Sequence, residues 1–176
     1  FSNTKKKQLL ALARQHAELA LTDMGDADSA ASEKILADLQ QQFHFQHLPR
    51  RIECFDISNI SGTSSVASMV CSVDGVPYPN RYRRFRIKTV EGADDPRSMA
   101  EVVRRRYSRL LNEQKPLPGL VMVDGGITQL RAAKAELGAL GLGDLPIGGR
   151  AKRDEEVVWD VEHNSGNLVL PRHSAG

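Results

Sequence analysis

Two aspartates lie within or directly after apolar runs that are typical of buried β-strands. Asp56 is embedded in the run 52–57, and Asp124 follows the run 120–123 just before two glycines. If the two strands are neighbours, both carboxylates converge at one end of the sheet. Two ionised carboxylates brought together repel each other and lose solvation unless a cation compensates. Hard divalent cations prefer oxygen ligands, so the pattern predicts a site for Mg²⁺ or Mn²⁺.

A cation held in this way suits phosphodiester hydrolysis. It lowers the pKa of a bound water, neutralises charge that grows on the phosphate, and aligns the attack with the leaving oxygen. Gly125 and Gly126 would let the backbone approach a phosphate closely. Each aspartate also has an ordinary explanation, because strand aspartates often lie on a polar face and Asp-Gly-Gly is common turn chemistry. The hypothesis therefore depends on the two residues together.

Basic residues cluster in the run 81–88, at residues 104–106 and just after residue 147. Such side chains hold a nucleic-acid backbone, and the binding they give should weaken steeply with salt. The alternative for part of this set is a solvated helix face or a charged edge strand. The candidates for DNA contact are Arg83, Arg84, Lys88, Arg105, Lys152 and Arg153.

The first fifty residues are predicted to be helical. Apolar residues recur at helical spacing over 5–21 and again over 29–45, and Pro49 ends the second helix. From residue 51 the pattern changes to short apolar runs separated by turn residues. The sequence thus predicts a helical appendage at 1–49 and a main domain at 50–176.

The main domain begins with strands over 51–57, 66–73 and 81–88. Asp74-Gly75 between the last two favours a hairpin, so the three form an antiparallel meander. A helix follows up to residue 111, with Asp95 as its predicted cap and Pro96 in its first position. The pattern continues with a strand at 120–123, a helix at 127–140, a strand at 145–147, and strands at 157–161 and 167–170 that flank a turn at 164–166.

The order of these elements is that of ribonuclease-H-like folds. These are α/β domains whose mixed β-sheet has three antiparallel strands, then parallel strands, with helices on its faces. A competing hypothesis is a doubly wound domain that uses Asp-Gly-Gly as a phosphate turn. The antiparallel meander argues against it.

Composition limits the class of protein further. The chain has 176 residues, of which 40% are hydrophobic and 26% charged, as in ordinary globular proteins. No apolar run is long enough to cross a bilayer, so a cytoplasmic location is expected. Cys54 and Cys71 lack the spacing of a zinc site and are predicted to be buried thiols. The net charge of +2 does not by itself indicate a nucleic-acid partner.

Several motifs together resemble the C-terminal half of UvrC, the family of incision subunits of bacterial nucleotide excision repair. They stand in the family's order and cover nearly the whole chain. The matching segments are 52–58 (Ile-Glu-Cys-Phe-Asp-Ile-Ser), 62–63, 66–70, 82–85, 89–95, 104–107 and 123–126 (Val-Asp-Gly-Gly).

The resemblance implies a ribonuclease-H-like endonuclease domain that nicks the damaged strand on the 5′ side of a lesion. The implied partners are damaged double-stranded DNA and UvrB, loaded with the help of UvrA. The implied metal ligands are Asp56 and Asp124. Asp95 is implied as a further functional carboxylate, and Lys152 matches a basic position of the family.

The chain departs from the family pattern at one place. UvrC-type domains complete the site with a histidine on a helix that follows a Leu-Pro-Arg segment, and this sequence ends at residue 176, soon after that segment. His173 does not match the motif. The expectation is therefore a domain truncated before its last helix, with impaired activity. The alternative function is a catalytically incomplete module that binds DNA or a partner.

Overall fold

The computed structural model describes residues 26–60, 64–90, 92–151, 156–161 and 164–169. The predicted helix at 5–21, Lys152, Arg153 and His173 lie outside these ranges. No helix of the described part of the chain is long and apolar enough to span a membrane.

Eight strands of the described residues form one mixed sheet. The strands are β1 (Arg51–Ile60), β2 (Ser64–Val73), β3 (Val76–Pro77), β4 (Arg83–Arg86), β5 (Leu120–Asp124), β6 (Ile147–Ala151), β7 (Glu156–Val161) and β8 (Asn164–Val169). Their order in the sheet is β3-β2-β1-β5-β6-β7-β8, and β4 also pairs with β2. The pairs β1–β5 and β5–β6 are parallel, whereas the other pairs are antiparallel. This confirms the predicted change from antiparallel to parallel pairing.

Three helices accompany the sheet in the described ranges: α1 (Asp26–Phe43), α2 (Asp95–Asn112) and α3 (Ile127–Ala139). Helices α2 and α3 bury their apolar stripes in the main core, where Tyr107 and Leu130 meet Phe55, Val121 and Val123 of the sheet. Strand residues alternate between the two faces. The other face of β1 and β5 therefore carries Asp56 and Asp124.

Helix α1 covers one end of that second face. Leu36 is buried, and Phe43 and Phe45 are buried with Leu120 at the start of β5. The rings of Phe43 and Phe45 stack with their centroids 5.6 Å apart. Part of the predicted appendage thus packs directly on the sheet.

The antiparallel meander contains one more strand than predicted. Pro79–Arg81 form a short 3₁₀ helix flanked by Tyr78 and Tyr82, so the strand predicted over 81–88 is shortened to β4. The two-residue strand β3 precedes this 3₁₀ helix and pairs with β2. The predicted hairpin at Asp74-Gly75 is confirmed. Both residues adopt positive φ, 51° and 79°, which matches the primed turns that join twisted strands tightly.

The start of α2 differs from the prediction by one residue. Asp94, not Asp95, is the N-cap, and its carboxylate accepts a hydrogen bond from the backbone N–H of Arg97 at 3.0 Å. Asp95 is the first helical residue, so Pro96 is in the second position. Either aspartate could cap by type, and the backbone conformation at Asp94 decides between them.

Two predictions near the C-terminal strands were wrong in their bounds. The strand placed at 145–147 begins only at Ile147, where it pairs with Val121 of β5. The predicted turn 164–166 belongs to β8, because Asn164 pairs with Val161 and Gly166 with Trp159. Asn, Ser and Gly favour turns on local grounds, but strand pairing here overrides that preference.

A charged cluster is buried beneath β1. The carboxylate of Glu53 is fully buried and accepts hydrogen bonds from Arg106 at 2.7 and 3.1 Å and from the Tyr107 hydroxyl at 3.2 Å. Burial, followed by the charge of Glu53, holds the pKa of Tyr107 well above its ordinary value. A buried charge that is paired and hydrogen-bonded in this way fixes α2 against β1.

The two cysteines form no disulfide. Cys71 is buried, and burial raises the pKa of its thiol, so that the thiol stays protonated and unreactive near neutral pH. Cys54 is half-buried. The predicted buried thiol is confirmed for Cys71.

Candidate metal centre

The two aspartates singled out by the sequence occupy directly paired positions. Strands β1 and β5 run parallel, and Asp56 is the register partner of Asp124. Neighbouring strands lie about 4.8 Å apart, and paired residues of parallel strands project from the same face. Both side chains are half-buried. The structure therefore brings these carboxylates together on one face, as the sequence analysis required.

The surroundings of the pair leave capacity for a ligand. The Oδ1 atom of Asp124 is buried and has no hydrogen-bond partner among the described residues. The hydroxyl of Ser58, two residues along β1, lies 3.5 Å from Oδ2 of Asp56. A buried carboxylate oxygen without a donor is costly unless something else satisfies it. A hard cation is such a partner, so this donor set fits Mg²⁺ or Mn²⁺.

The turn after Asp124 is closely packed. A Cβ added to Gly125 would lie 2.8 Å from Cδ of Gln129, and one added to Gly149 of β6 would lie 3.3 Å from the carbonyl oxygen of Gly125. Helix α3 begins three residues after Asp124, so its N-terminal dipole favours negative charge there. Gly125 and Gly126 were predicted to let a phosphate approach closely, and the structure adds that a side chain at position 125 would require Gln129 to move.

One row of residues crosses the sheet at the level of the carboxylates. Arg84 of β4 pairs with Ser68 of β2, Ser68 pairs with Asp56, and Asp124 pairs with Arg150 of β6. Arg84 is exposed. Ser58 and Ser68 are neighbours of the site that were not predicted from the sequence. The position of Ser58 two residues after Asp56 is a signal that could have found it, whereas Ser68 required the strand register.

The candidate DNA contacts fall into two groups. Arg83, Arg84 and Lys88 are exposed on or just after β4. Arg105 is half-buried and donates hydrogen bonds to Glu101 and to the carbonyl of Arg86, both at 2.8 Å. These bonds favour a structural role for Arg105. Arg83 likewise donates to the carbonyls of Asn80 and Tyr82, at 3.1 and 2.7 Å, so Arg84 and Lys88 are the stronger candidates for phosphate contact.

Asp95 lies apart from this row in the topology. It opens α2, the helix that packs on the face opposite Asp56 and Asp124. Within the described residues, no group of three or more His, Cys, Asp or Glu side chains is placed to hold a metal ion. Among the described residues, the candidate ligands are thus the two paired carboxylates.

A mixed sheet with paired carboxylates on adjacent parallel strands, backed by two helices, defines an α/β domain of the ribonuclease-H-like class. The family model of the UvrC RNase H endonuclease domain matches residues 40–176, and the chain belongs to that family.

Relatives of known name agree with this assignment. The chain is 45% identical over 170 residues to the UvrABC system protein C of Solibacter usitatus, covering 97% of this chain and 27% of the relative. It is 42% identical over 158 residues to the protein of the same name from Leptospira biflexa, covering 89% and 26%. The chain therefore spans about a quarter of the length of the curated relatives it matches.

The chain also aligns with two solved structures of endonuclease V. The enzyme from Streptomyces avermitilis aligns with a TM-score of 0.42 and 14% identity, covering 85% of this chain and 73% of that one. The enzyme from Ciona intestinalis, crystallised with a 24mer DNA containing an inosine, aligns with a TM-score of 0.42 and 17% identity over 71% and 57%.

Proposed function

We propose that this chain is a divalent-metal-dependent DNA endonuclease domain whose Asp56 and Asp124 hold Mg²⁺ or Mn²⁺. The observation that carries the proposal is the register pairing of the two aspartates together with the unsatisfied buried Oδ1 of Asp124. When bound, such a cation polarises the phosphodiester and makes water a stronger acid. The two carboxylates position it, and the sheet keeps them fixed.

Calorimetric titration of Mn²⁺ tests the site. Asp56→Asn and Asp124→Asn should each abolish measurable binding, because each removes one of two anionic ligands while keeping the side-chain shape. Asp144→Asn is the matched control, since Asp144 is exposed in the loop before β6. Equal Mn²⁺ affinity in the wild type and in either site variant would refute the assignment.

We propose Asp95 as a further functional carboxylate, as the family motif suggests. Its neighbour provides the control. Asp94→Ala removes the helix cap and should cost about 1 kcal/mol of stability, whereas Asp95→Asn should reduce cleavage and leave the unfolding free energy nearly unchanged. A parallel loss of stability and cleavage in Asp95→Asn would make it a structural residue.

The exposed basic residues around β4 are proposed to hold the DNA backbone. Arg84 is the strongest candidate, because it lies in the same row as Asp56, two strands away. Arg84→Ala should lower the slope of log affinity against log salt by about one. Arg109→Ala, at an exposed position on α2, should leave the slope unchanged. Lys88, Arg83, Lys152 and Arg153 are the further candidates.

We propose a finer role for this chain, which its family suggests. The domain would incise the damaged strand on the 5′ side of a lesion, in the cytoplasm, after UvrA and UvrB have engaged the DNA. A full-length protein that contains this domain, incubated with UvrA, UvrB and end-labelled lesion duplex, should give one cut 5′ to the lesion. Asp124→Asn should remove that cut. A cut that persists in this variant would show that another site makes it.

A second candidate function is a module that binds DNA or a partner without cleaving. The exposed basic side chains on and just after β4 favour it, because they could hold a phosphate backbone without a metal ion. Under this alternative, Asp56→Asn and Asp124→Asn would leave DNA affinity unchanged and the wild type would show no Mn²⁺-dependent nicking. Nicking that depends on Mn²⁺ and on Asp124 would exclude it.

A further inference from the structure

Two exposed arginines of β4 project from the face of the sheet that carries Asp56. Phe85, between them, packs into the core on the opposite face, with its ring centroid 6.4 Å from that of Phe55. Successive residues of a strand point to opposite faces. Arg84 and Arg86 therefore both stand on the carboxylate face, and both are exposed.

The surface between these arginines and the carboxylates is formed by short side chains of β2. Ser68 is the register partner of Arg84, and it is half-buried. Val66, also half-buried, is the register partner of Arg86. Adjacent strands lie about 4.8 Å apart, which places the backbone of Arg84 about 10 Å from that of Asp56, on the other side of Ser68. Nothing larger than a valine therefore separates the two groups along these rows of β2.

The described contacts of α1 lie at the other end of this face. Its Glu33 forms an ion pair of 2.9 Å with Arg50, the residue before β1, and its Phe43 is buried with Leu120 at the start of β5. Asp124, by contrast, is the last residue of β5. A strand of DNA can thus pass from the carboxylate pair over β2 to β4 without disturbing these contacts.

Both guanidinium groups are available for a ligand. Neither Arg84 nor Arg86 has a side-chain hydrogen bond or an ion pair with another described residue. The backbone of Arg86 is nevertheless fixed, because its carbonyl accepts a hydrogen bond from Arg105 at 2.8 Å and Arg105 is held by the buried Glu101 at 2.8 Å. Unpaired guanidinium groups on a rigid support are suited to binding phosphate.

We propose that Arg84 and Arg86 form a two-point clamp for adjacent phosphates of the DNA strand that is cleaved. Their Cα atoms are about 6.8 Å apart, because a strand rises about 3.4 Å per residue, so each guanidinium takes a different phosphate. The clamp lies to one side of the carboxylate pair and therefore fixes which phosphate reaches the cation. This inference rests on the proposed function, assigns a role to Arg86, and makes both arginines positioning residues.

Salt dependence measured without metal tests phosphate binding by each arginine. With EDTA present, fluorescence anisotropy of a short labelled DNA duplex gives the slope of log affinity against log salt. The slope should fall by about one in Arg84→Ala and in Arg86→Ala, and by about two in the double variant. Arg86→Lys keeps the charge and should keep the slope, and Arg109→Ala, on the helix that packs on the opposite face, should not change it. An unchanged slope in Arg86→Ala would overturn the clamp.

Neutral phosphates test the register. A methylphosphonate, in which a methyl group replaces one charged phosphate oxygen, is placed at one position at a time in the lesion strand of the incision assay described above. In the wild type, two adjacent positions on the same side of the cut should each slow cleavage about tenfold. Arg84→Ala should be insensitive to the substitution at one of these positions, and Arg86→Ala at its neighbour.

The outcomes separate the clamp from the nuclease function. Sensitivity lost at the same position in both variants, lost on opposite sides of the cut, or absent from every position in the wild type would overturn the clamp and leave the nuclease function intact. A wild type that shows the expected salt slopes but never cuts would refute the nuclease function, while phosphate binding by the two arginines would stand.

Discussion

Glu101 of α2 holds the segment that follows β4 through hydrogen bonds, and the ionisation of Glu101 should contribute measurably to the free energy of unfolding. Its buried carboxylate accepts hydrogen bonds from the backbone N–H groups of Lys88 and Thr89, from the Thr89 hydroxyl at 2.7 Å and from Arg105 at 2.8 Å. Burial alone would raise the pKa of Glu101, but these hydrogen bonds outweigh it and lower the pKa to about 2. The perturbation that tests this is Glu101→Gln.

The magnitude follows from linkage. A carboxyl whose pKa falls from 4.5 to about 2 on folding stabilises the folded protein by about 3 kcal/mol near neutral pH, at about 1.4 kcal/mol per tenfold change. Because the folded pKa is depressed, this stability is present above pH 4.5 and is lost as the pH falls toward 2. About 2 kcal/mol of it should be gone at pH 3.

Urea unfolding at pH 7 and pH 3 measures the effect. The stability deficit of Glu101→Gln relative to the wild type should be about 3 kcal/mol at pH 7 and about 1 kcal/mol at pH 3. Glu113→Gln is the control, because hydrogen bonds from Lys115 and Arg109 also lower the pKa of Glu113 to about 2. That ion pair is open to solvent and screened, so its removal should change little. A Glu101→Gln deficit that stays constant with pH would refute the reasoning.

Further predictions concern the packing beneath the site. Glu53→Gln should cost about 3–5 kcal/mol of unfolding free energy, because it leaves the buried guanidinium of Arg106 without its counter-charge; a cost below 1 kcal/mol in urea unfolding would contradict the buried pair. Gly75→Ala should destabilise the protein by more than about 1 kcal/mol, because φ is +79° and the new Cβ would meet Cβ of Ser32 at 2.9 Å. Gly138→Ala, in α3 with nothing within 4 Å of the added Cβ, should instead raise the free energy of unfolding by about 0.5–1 kcal/mol through helix propensity. A stabilised Gly75→Ala variant together with a destabilised Gly138→Ala variant would overturn both explanations.

The sequence by itself determined the types and order of most elements in the described part of the chain. Alternating and continuous apolar runs are local signals, as are Asp74-Gly75 and the helical spacing of α2, because each depends on residues a few positions apart. For the same reason, the sequence could not decide between adjacent residues that are chemically equivalent. Asp94 and Asp95 are chemically identical caps, and the turn-forming residues at 164–166 became part of β8 once strand pairing was available.

Only the tertiary structure decided which residues meet. That Asp56 stands beside Asp124, that Ser68 and Arg84 share their row, and that Arg105 is bonded to Glu101 all depend on strand register and helix docking. Register is fixed by burying one face of every strand at once, and a shift of one residue would reverse every side chain. The local pattern therefore contained both carboxylates, and the burial of the whole sheet placed them together.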